Sequence, residues 1–162
     1  MSGARARAEE AYKARWKQVR ECVSGYNCFG HAFALRRTSI LEMREEDHWL
    51  IDRVLIEDGF SEVSEANAEL GDVVVYYDGD EPFHAGTITR GKTLHLPVAE
   101  VAAAQTVWIV RSKLDSMSGE YEHAIGAYTD ADDRPLPYKV YRARGATPAR
   151  LRSWRERIAD LG

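Results

Sequence analysis

The stretch Gly71-Asp72-Val73-Val74-Val75-Tyr76-Tyr77 is the clearest structural signal in this chain. After Asp72 it is an unbroken run of β-branched and aromatic side chains, which favour extended backbone. A continuous apolar run bounded by turn residues is typical of a strand buried on both faces. The turn residues Asp78-Gly79-Asp80-Glu81-Pro82 follow the run at once. The sequence therefore predicts a central strand over residues 73–77.

More strands are predicted after this one. Residues 83–89 alternate as a half-buried strand, and Arg90-Gly91 is predicted as a tight turn into a strand over residues 92–96. Further strands are predicted over residues 106–114 and 138–142. Together these segments form an antiparallel meander.

Helices are predicted on both sides of the meander. An apolar stripe at steps of four and three residues predicts a helix within residues 1–24, and its members are Ala8, Tyr12, Trp16, Val19 and Val23. Shorter helices are predicted over residues 28–36, with Asn27 as N-cap, and near residues 45–57, followed by a polar loop over residues 61–67. Thr147-Pro148 begins a C-terminal helix over residues 147–162. This order predicts an α+β fold in one domain, residues 1–162, with helices packed on an antiparallel sheet.

Composition narrows the function classes. The chain has 162 residues, 44% of them hydrophobic, 30% charged, and a net charge of -4, which argues against nucleic-acid binding driven by phosphate contacts. No apolar run reaches the length of a membrane span, and the N-terminus lacks the apolar core of a signal peptide. We therefore expect no nucleic-acid or membrane partner and a cytoplasmic location, or export without a cleaved signal. No metal-ligand spacing or phosphate loop is present, so no metal or cofactor is expected.

Two residues could form a nucleophilic site. Cys28 lies where a helix begins, and the positive end of the helix dipole favours thiolate. His84 opens the next predicted strand and would act as general base if it met Cys28. If Arg90-Gly91 is a two-residue turn, Gly86 pairs with His95, and His95 then lies on the face of His84 as its orienting partner. A turn one residue longer would invert these faces.

These residues resemble the NlpC-type branch of papain-like cysteine hydrolases. In that family a cysteine opens a helix, Gly-Asp opens the first core strand and a histidine lies on the second strand. Cys28, Gly71-Asp72 and His84-Ala85-Gly86 match this pattern. The resemblance covers roughly residues 24–97. It implies a papain-like fold with Cys28 as nucleophile, His84 as base and His95 as the third residue.

A second pair of segments resembles an uncharacterised bacterial branch of the same superfamily. Arg111-Ser112-Lys113-Leu114 and Gly119-Glu120-Tyr121-Glu122-His123 match its Ser-Lys pair and Gly-x-Tyr-x-His. This likeness implies that Ser112 or His123 completes the site instead of His95. Lys113 is then a candidate substrate-binding residue, as is Tyr26, whose hydroxyl can point at an oxyanion.

The implied function is a cysteine hydrolase or acyltransferase that acts on an amide in a peptide, an isopeptide or a glutamine side chain. Cys28 would attack the carbonyl, His84 would protonate the leaving group, and the backbone N–H of Cys28 would stabilise the oxyanion. The expected partner is that substrate, with a protein partner if the chain is an effector or toxin. The alternative is a catalytically inactive NlpC-like binding domain, because Phe29 is larger than the small residue usual after the nucleophile. A redox pair of Cys22 and Cys28 is a third possibility.

Overall fold

A computed structural model describes residues 17–40, 44–45, 48–94, 105–114 and 117–144. Within these ranges the chain forms a seven-stranded antiparallel sheet, a two-stranded sheet and two short α-helices. The strands are β1 (Lys17–Arg20), β2 (Arg44–Glu45), β3 (His48–Trp49), β4 (Phe60–Val63), β5 (Val73–Asp78), β6 (Glu81–Leu94), β7 (Gln105–Lys113), β8 (Glu120–Ala124) and β9 (Tyr138–Ala143). The helices are α1 (Cys28–Phe33) and α2 (Leu50–Glu57), with single 3₁₀ turns at Glu65–Asn67 and Ile125–Ala127.

The predicted central strand is confirmed. The large sheet has the order β1-β8-β7-β6-β5-β9-β4, so β5 is hydrogen-bonded on both sides, to β6 and β9. The side chains of Val74, Val75 and Tyr76 are fully buried. The predicted strands over residues 106–114 and 138–142 correspond to β7 and β9.

Each face of the large sheet carries its own core. Alternate residues point to opposite faces of a strand, and the two buried clusters follow this alternation. We call one side the aromatic face; its core residues include Val74, Tyr76, Ile88, Val110, Ile125, Tyr128 and Val140. We call the other the helix face, because α1 and α2 cover it; its core residues are Cys28, Phe29, Ile51, Leu55, Val73, Val75 and Ala85.

The predicted α+β papain-like fold, with N-terminal helices on a sheet, is wrong. The described residues form mainly antiparallel sheet, and residues 17–20 belong to strand β1 where the apolar stripe predicted the end of a helix. Pairing with β8 explains the difference, since it sets Lys17 opposite Glu122 and Arg20 opposite Glu120. Cross-strand pairs of opposite charge stabilise a sheet edge. The other residues of the stripe up to Trp16, and the predicted C-terminal helix over residues 147–162, lie outside the described residues.

The predicted turn at Arg90-Gly91 is also wrong. Strand β6 runs through it and shifts register between Ile88 and Arg90. Gly91 pairs with Trp108, and a Cβ at position 91 would lie 2.9 Å from Cζ3 of that indole. The absence of a side chain at Gly91 therefore lets the Trp108 ring pack against the backbone of β6, and no turn forms there.

Smaller differences concern the ends of elements. The predicted loop over residues 61–67 begins as strand β4, and β8 was not predicted at all. Helix α1 ends at Phe33 and α2 begins at Leu50, so both predicted helices exist but are shorter than predicted. Neither is long and apolar enough to cross a membrane, and no other helix in the described ranges is.

Candidate functional site

The start of helix α1 is fixed by Asn27, as predicted. The side-chain oxygen of Asn27 accepts hydrogen bonds from the backbone N–H of Gly30 at 2.9 Å and of Ile40 at 3.1 Å. Its side-chain nitrogen donates to the carbonyl oxygen of Ile40 at 2.6 Å. One side chain thus caps the helix and ties it to the loop that follows. This arrangement places Cys28 at the first residue of α1.

Cys28 and His84 pack against different core residues. Cys28 packs on the helix face in the cluster that contains Ala85. His84 lies opposite Tyr76 in the register, and its ring stacks on Tyr128 with centroids 4.1 Å apart and planes 7° apart. Because adjacent strand residues point to opposite faces, His84 and Ala85 point to opposite sides of β6, and Ala85 is the one that shares the cluster of Cys28.

His84 is held as a neutral, buried histidine. Burial lowers its pKa well below the ordinary value, and His123 and His31 lower it further. Its Nε2 atom has no hydrogen-bond partner in the part of the chain that the structure describes. The ring therefore belongs to the aromatic core.

The predicted pairing of Gly86 with His95, the third site residue, is not found. Gly86 pairs with Ser112 of β7, where the sequence predicted His95. The hairpin that would have carried His95 does not form, because β6 continues through Gly91. His95 itself lies outside the described residues.

Ser112 and His123 do meet, on the aromatic face. Ser112 Oγ lies 3.0 Å from His123 Nε2, and His123 Nδ1 donates to the carbonyl oxygen of Ala124 at 2.9 Å. The proton on Nδ1 makes Nε2 the acceptor, so the serine hydroxyl donates. Both side chains are buried, and burial lowers the pKa of His123 to about 4. The pair has the geometry of a nucleophile and its base, but it lies inside the core.

Lys113 and Tyr26, predicted to bind substrate, bind each other. The Lys113 ammonium donates to the carbonyl oxygens of Val23 and Tyr26 and lies 4.2 Å from the centroid of the Tyr26 ring. The hydroxyl of Tyr26 donates to Glu120 at 2.7 Å. Both side chains are buried, so their polar ends hold the segment before α1 against β7 and β8.

A buried carboxylate joins these elements, and the sequence analysis did not single it out. We define the Glu120 cluster as Glu120 with the groups around its carboxylate: Tyr26, Arg20, His31, Arg36 and Arg111. Arg36 donates to both carboxylate oxygens, through Nε to Oε1 and through Nη2 to Oε2 at 3.0 Å. Arg111 Nε lies 2.8 Å from Oε2 at an angle too poor for a hydrogen bond. Arg20 Nη1 lies 3.8 Å from Oε1.

These cations keep Glu120 ionised. Burial by itself would raise its pKa, but the nearby His31 and the hydrogen bonds from Arg36 outweigh burial and hold the pKa far below the ordinary range. Burial lowers the pKa of His31, whose Nε2 lies 3.7 Å from Oε2 of Glu120 and 3.2 Å from Arg36 Nη2. The sequence does not distinguish Glu120 from Glu122, which lies two residues later on the same face of β8 and pairs with Arg90 nearer the surface.

In the described ranges, no three histidine, cysteine, aspartate or glutamate side chains are grouped so that they could hold a metal ion. Comparison of the chain with protein-family models, with curated proteins and with solved structures found no match.

Proposed function

We propose that this chain is a binding domain in which Cys28 is a core residue. The observation that supports the proposal is that the two predicted catalytic residues each pack against core residues of the sheet. Cys28 is buried and packs with Val73, Val75 and Ala85, as a small core residue does. The ring of His84 stacks on Tyr128.

Alkylation of the full chain with iodoacetamide tests this proposal, with Cys22 as an internal control. Cys22 is exposed and Cys28 is buried. We expect Cys22 to react at least about tenfold faster near neutral pH, since a buried structural thiol is inert. Replacing His84 with alanine should leave the rate at Cys28 unchanged. Faster labelling at Cys28 that is lost in His84→Ala would overturn the proposal.

One observation favours a second candidate, a cysteine hydrolase with a different base. His31 follows Cys28 by three residues on α1, a spacing that sets Cβ atoms about 5–6 Å apart. His31 Nδ1 is buried without a hydrogen-bond partner in the described part of the chain, and Nε2 lies 3.7 Å from Glu120. In this candidate, Cys28 attacks an amide carbonyl, His31 carries the thiol proton to the leaving amine, and water releases the acyl group.

The two histidines form a matched pair that separates the candidates. For a hydrolase that uses His31, Cys28 would react faster than Cys22 near neutral pH. That rate would fall about tenfold or more in His31→Gln and stay unchanged in His84→Gln. For a binding domain, neither variant changes the alkylation rate of Cys28 by this amount. Far-UV circular dichroism checks that both variants fold.

A further inference from the structure

The Glu120 cluster carries more positive charge than its own carboxylate neutralises. Three guanidinium groups surround one buried carboxylate, which leaves an excess of two positive charges among the groups that contact it. Burial lowers the pKa of His31, so this ring adds no positive charge near neutral pH. Glu122, the acidic residue opposite Arg111 in the register, is already paired with Arg90 at 2.6 Å. The excess is local, since the chain as a whole has a net charge of -4.

The guanidinium groups are held in place but remain reachable from solvent. Their side chains are 39% exposed for Arg20, 19% for Arg36 and 20% for Arg111, whereas the Glu120 side chain beneath them is fully buried. Arg36 is also fixed by its backbone, which adopts a left-handed conformation with φ of 65°. Non-glycine residues adopt this conformation at a cost, so the loop after α1 is specified to bring Arg36 here.

Hydrogen-bond donors of the cluster are left over after Glu120 is satisfied. A guanidinium has five N–H donors. Arg36 directs Nε and Nη2 at the carboxylate. Arg20 and Arg111 come closest to it through Nη1 at 3.8 Å and Nε at 2.8 Å. Three such groups carry more N–H donors than the two oxygens of one carboxylate accept. A guanidinium group can donate two parallel hydrogen bonds to two oxygens of a carboxylate or a phosphate, and several such groups here point at one place.

We propose that the solvent side of the Glu120 cluster, formed by Arg20, Arg36 and Arg111, is a binding site for an oxyanion of the carboxylate or phosphate class. The site rests on the proposed function, because it names the group that the binding domain would take. Glu120 stays buried as the fixed counter-ion that aligns the arginines. The ligand anion neutralises the remaining charge from the solvent side.

Thermal unfolding of the full chain tests the site, with inorganic phosphate and acetate as probes and chloride as reference at constant ionic strength. A ligand that binds only the folded state raises the midpoint in a saturable way. We expect such a rise with phosphate, with acetate or with both, and the comparison of the two shows which oxyanion fits. Arg20→Gln should weaken the affinity about tenfold, the value of one charge-assisted hydrogen bond.

Arg53→Gln is the matched control. Arg53 lies on α2, is 44% exposed and forms an ion pair with Glu57 at 3.2 Å, so its removal should leave the affinity unchanged. No saturable rise, or an equal rise in Arg20→Gln, would overturn the site. These results are independent of alkylation at Cys28. A reactive Cys28 would refute the binding-domain proposal while leaving the anion site to be judged by its own titration.

Discussion

At the scale of single residues, the buried carboxylate of Glu120 stabilises the fold through the three arginines around it. Glu120→Gln would leave three guanidinium groups gathered around a neutral amide. Removing one partner of a buried ion pair costs about 3–5 kcal/mol, so we expect a loss of this size in the free energy of unfolding measured with urea. Glu62→Gln is the control: its pair with Lys139 is exposed, and its loss should cost under about 1 kcal/mol. Equal losses in the two variants would contradict this ranking.

His123 gives the protein a pH dependence with a defined sign. Its pKa is about 4 when folded and 6.5 in a model peptide. As the pH falls below about 6.5, the unfolded chain takes up the proton first, so stability falls until about pH 4. Between about pH 7 and pH 5, this one group should remove about 2 kcal/mol from the free energy of unfolding.

The variant His123→Gln isolates that contribution. His84 has a lowered pKa as well, so some pH dependence should remain in the variant. We expect the loss of stability between about pH 7 and pH 5 to be about 2 kcal/mol smaller than in the parent chain. An unchanged loss, measured by urea unfolding at both pH values, would show that His123 is not held neutral in the fold.

At the scale of elements, the close contact between α1 and its following loop makes a glycine essential. A Cβ at Gly30 would lie 1.8 Å from the carbonyl oxygen of Thr38, which is backbone and cannot move aside freely. We expect Gly30→Ala to cost about 3 kcal/mol in urea unfolding. A Cβ at Gly126 would meet nothing within 4 Å, so Gly126→Ala should change stability by under about 1 kcal/mol. A mild effect at Gly30 would mean that the loop over residues 34–40 does not pack against the helix.

At the scale of the whole molecule, one sheet carries both cores, so the two faces should unfold together. Ile51 lies in the core of the helix face and Ile88 in that of the aromatic face. Each substitution to alanine should cost about 2–5 kcal/mol. In each variant, the urea transition followed by tryptophan fluorescence and the transition followed by circular dichroism should shift by the same amount. Transitions that separate in either variant would show that the faces are independent units.

The elements whose cause is local could be predicted from the sequence. The run from Val73 to Tyr77 predicted a buried strand, because β-branched and aromatic side chains in a row favour extended backbone. Asn27 predicted the start of α1, since a cap depends only on the few residues after it. The α+β fold, by contrast, depended on the stripe through Val19, which fits an edge strand as well as a helix once β8 offers Glu120 and Glu122 as partners.

The candidate site could not be predicted from the sequence, because it depends on how the strands pair. Whether His84 or Ala85 faces Cys28 depends on the register between β5 and β6, and one position of register moves a side chain through the sheet. The Glu120 cluster joins side chains from β1, α1, the loop after it, β7 and β8, up to 100 positions apart, as Arg20 and Glu120 are. No local pattern marks such a cluster, because its stability comes from charges that only the folded sheet brings together in a buried place.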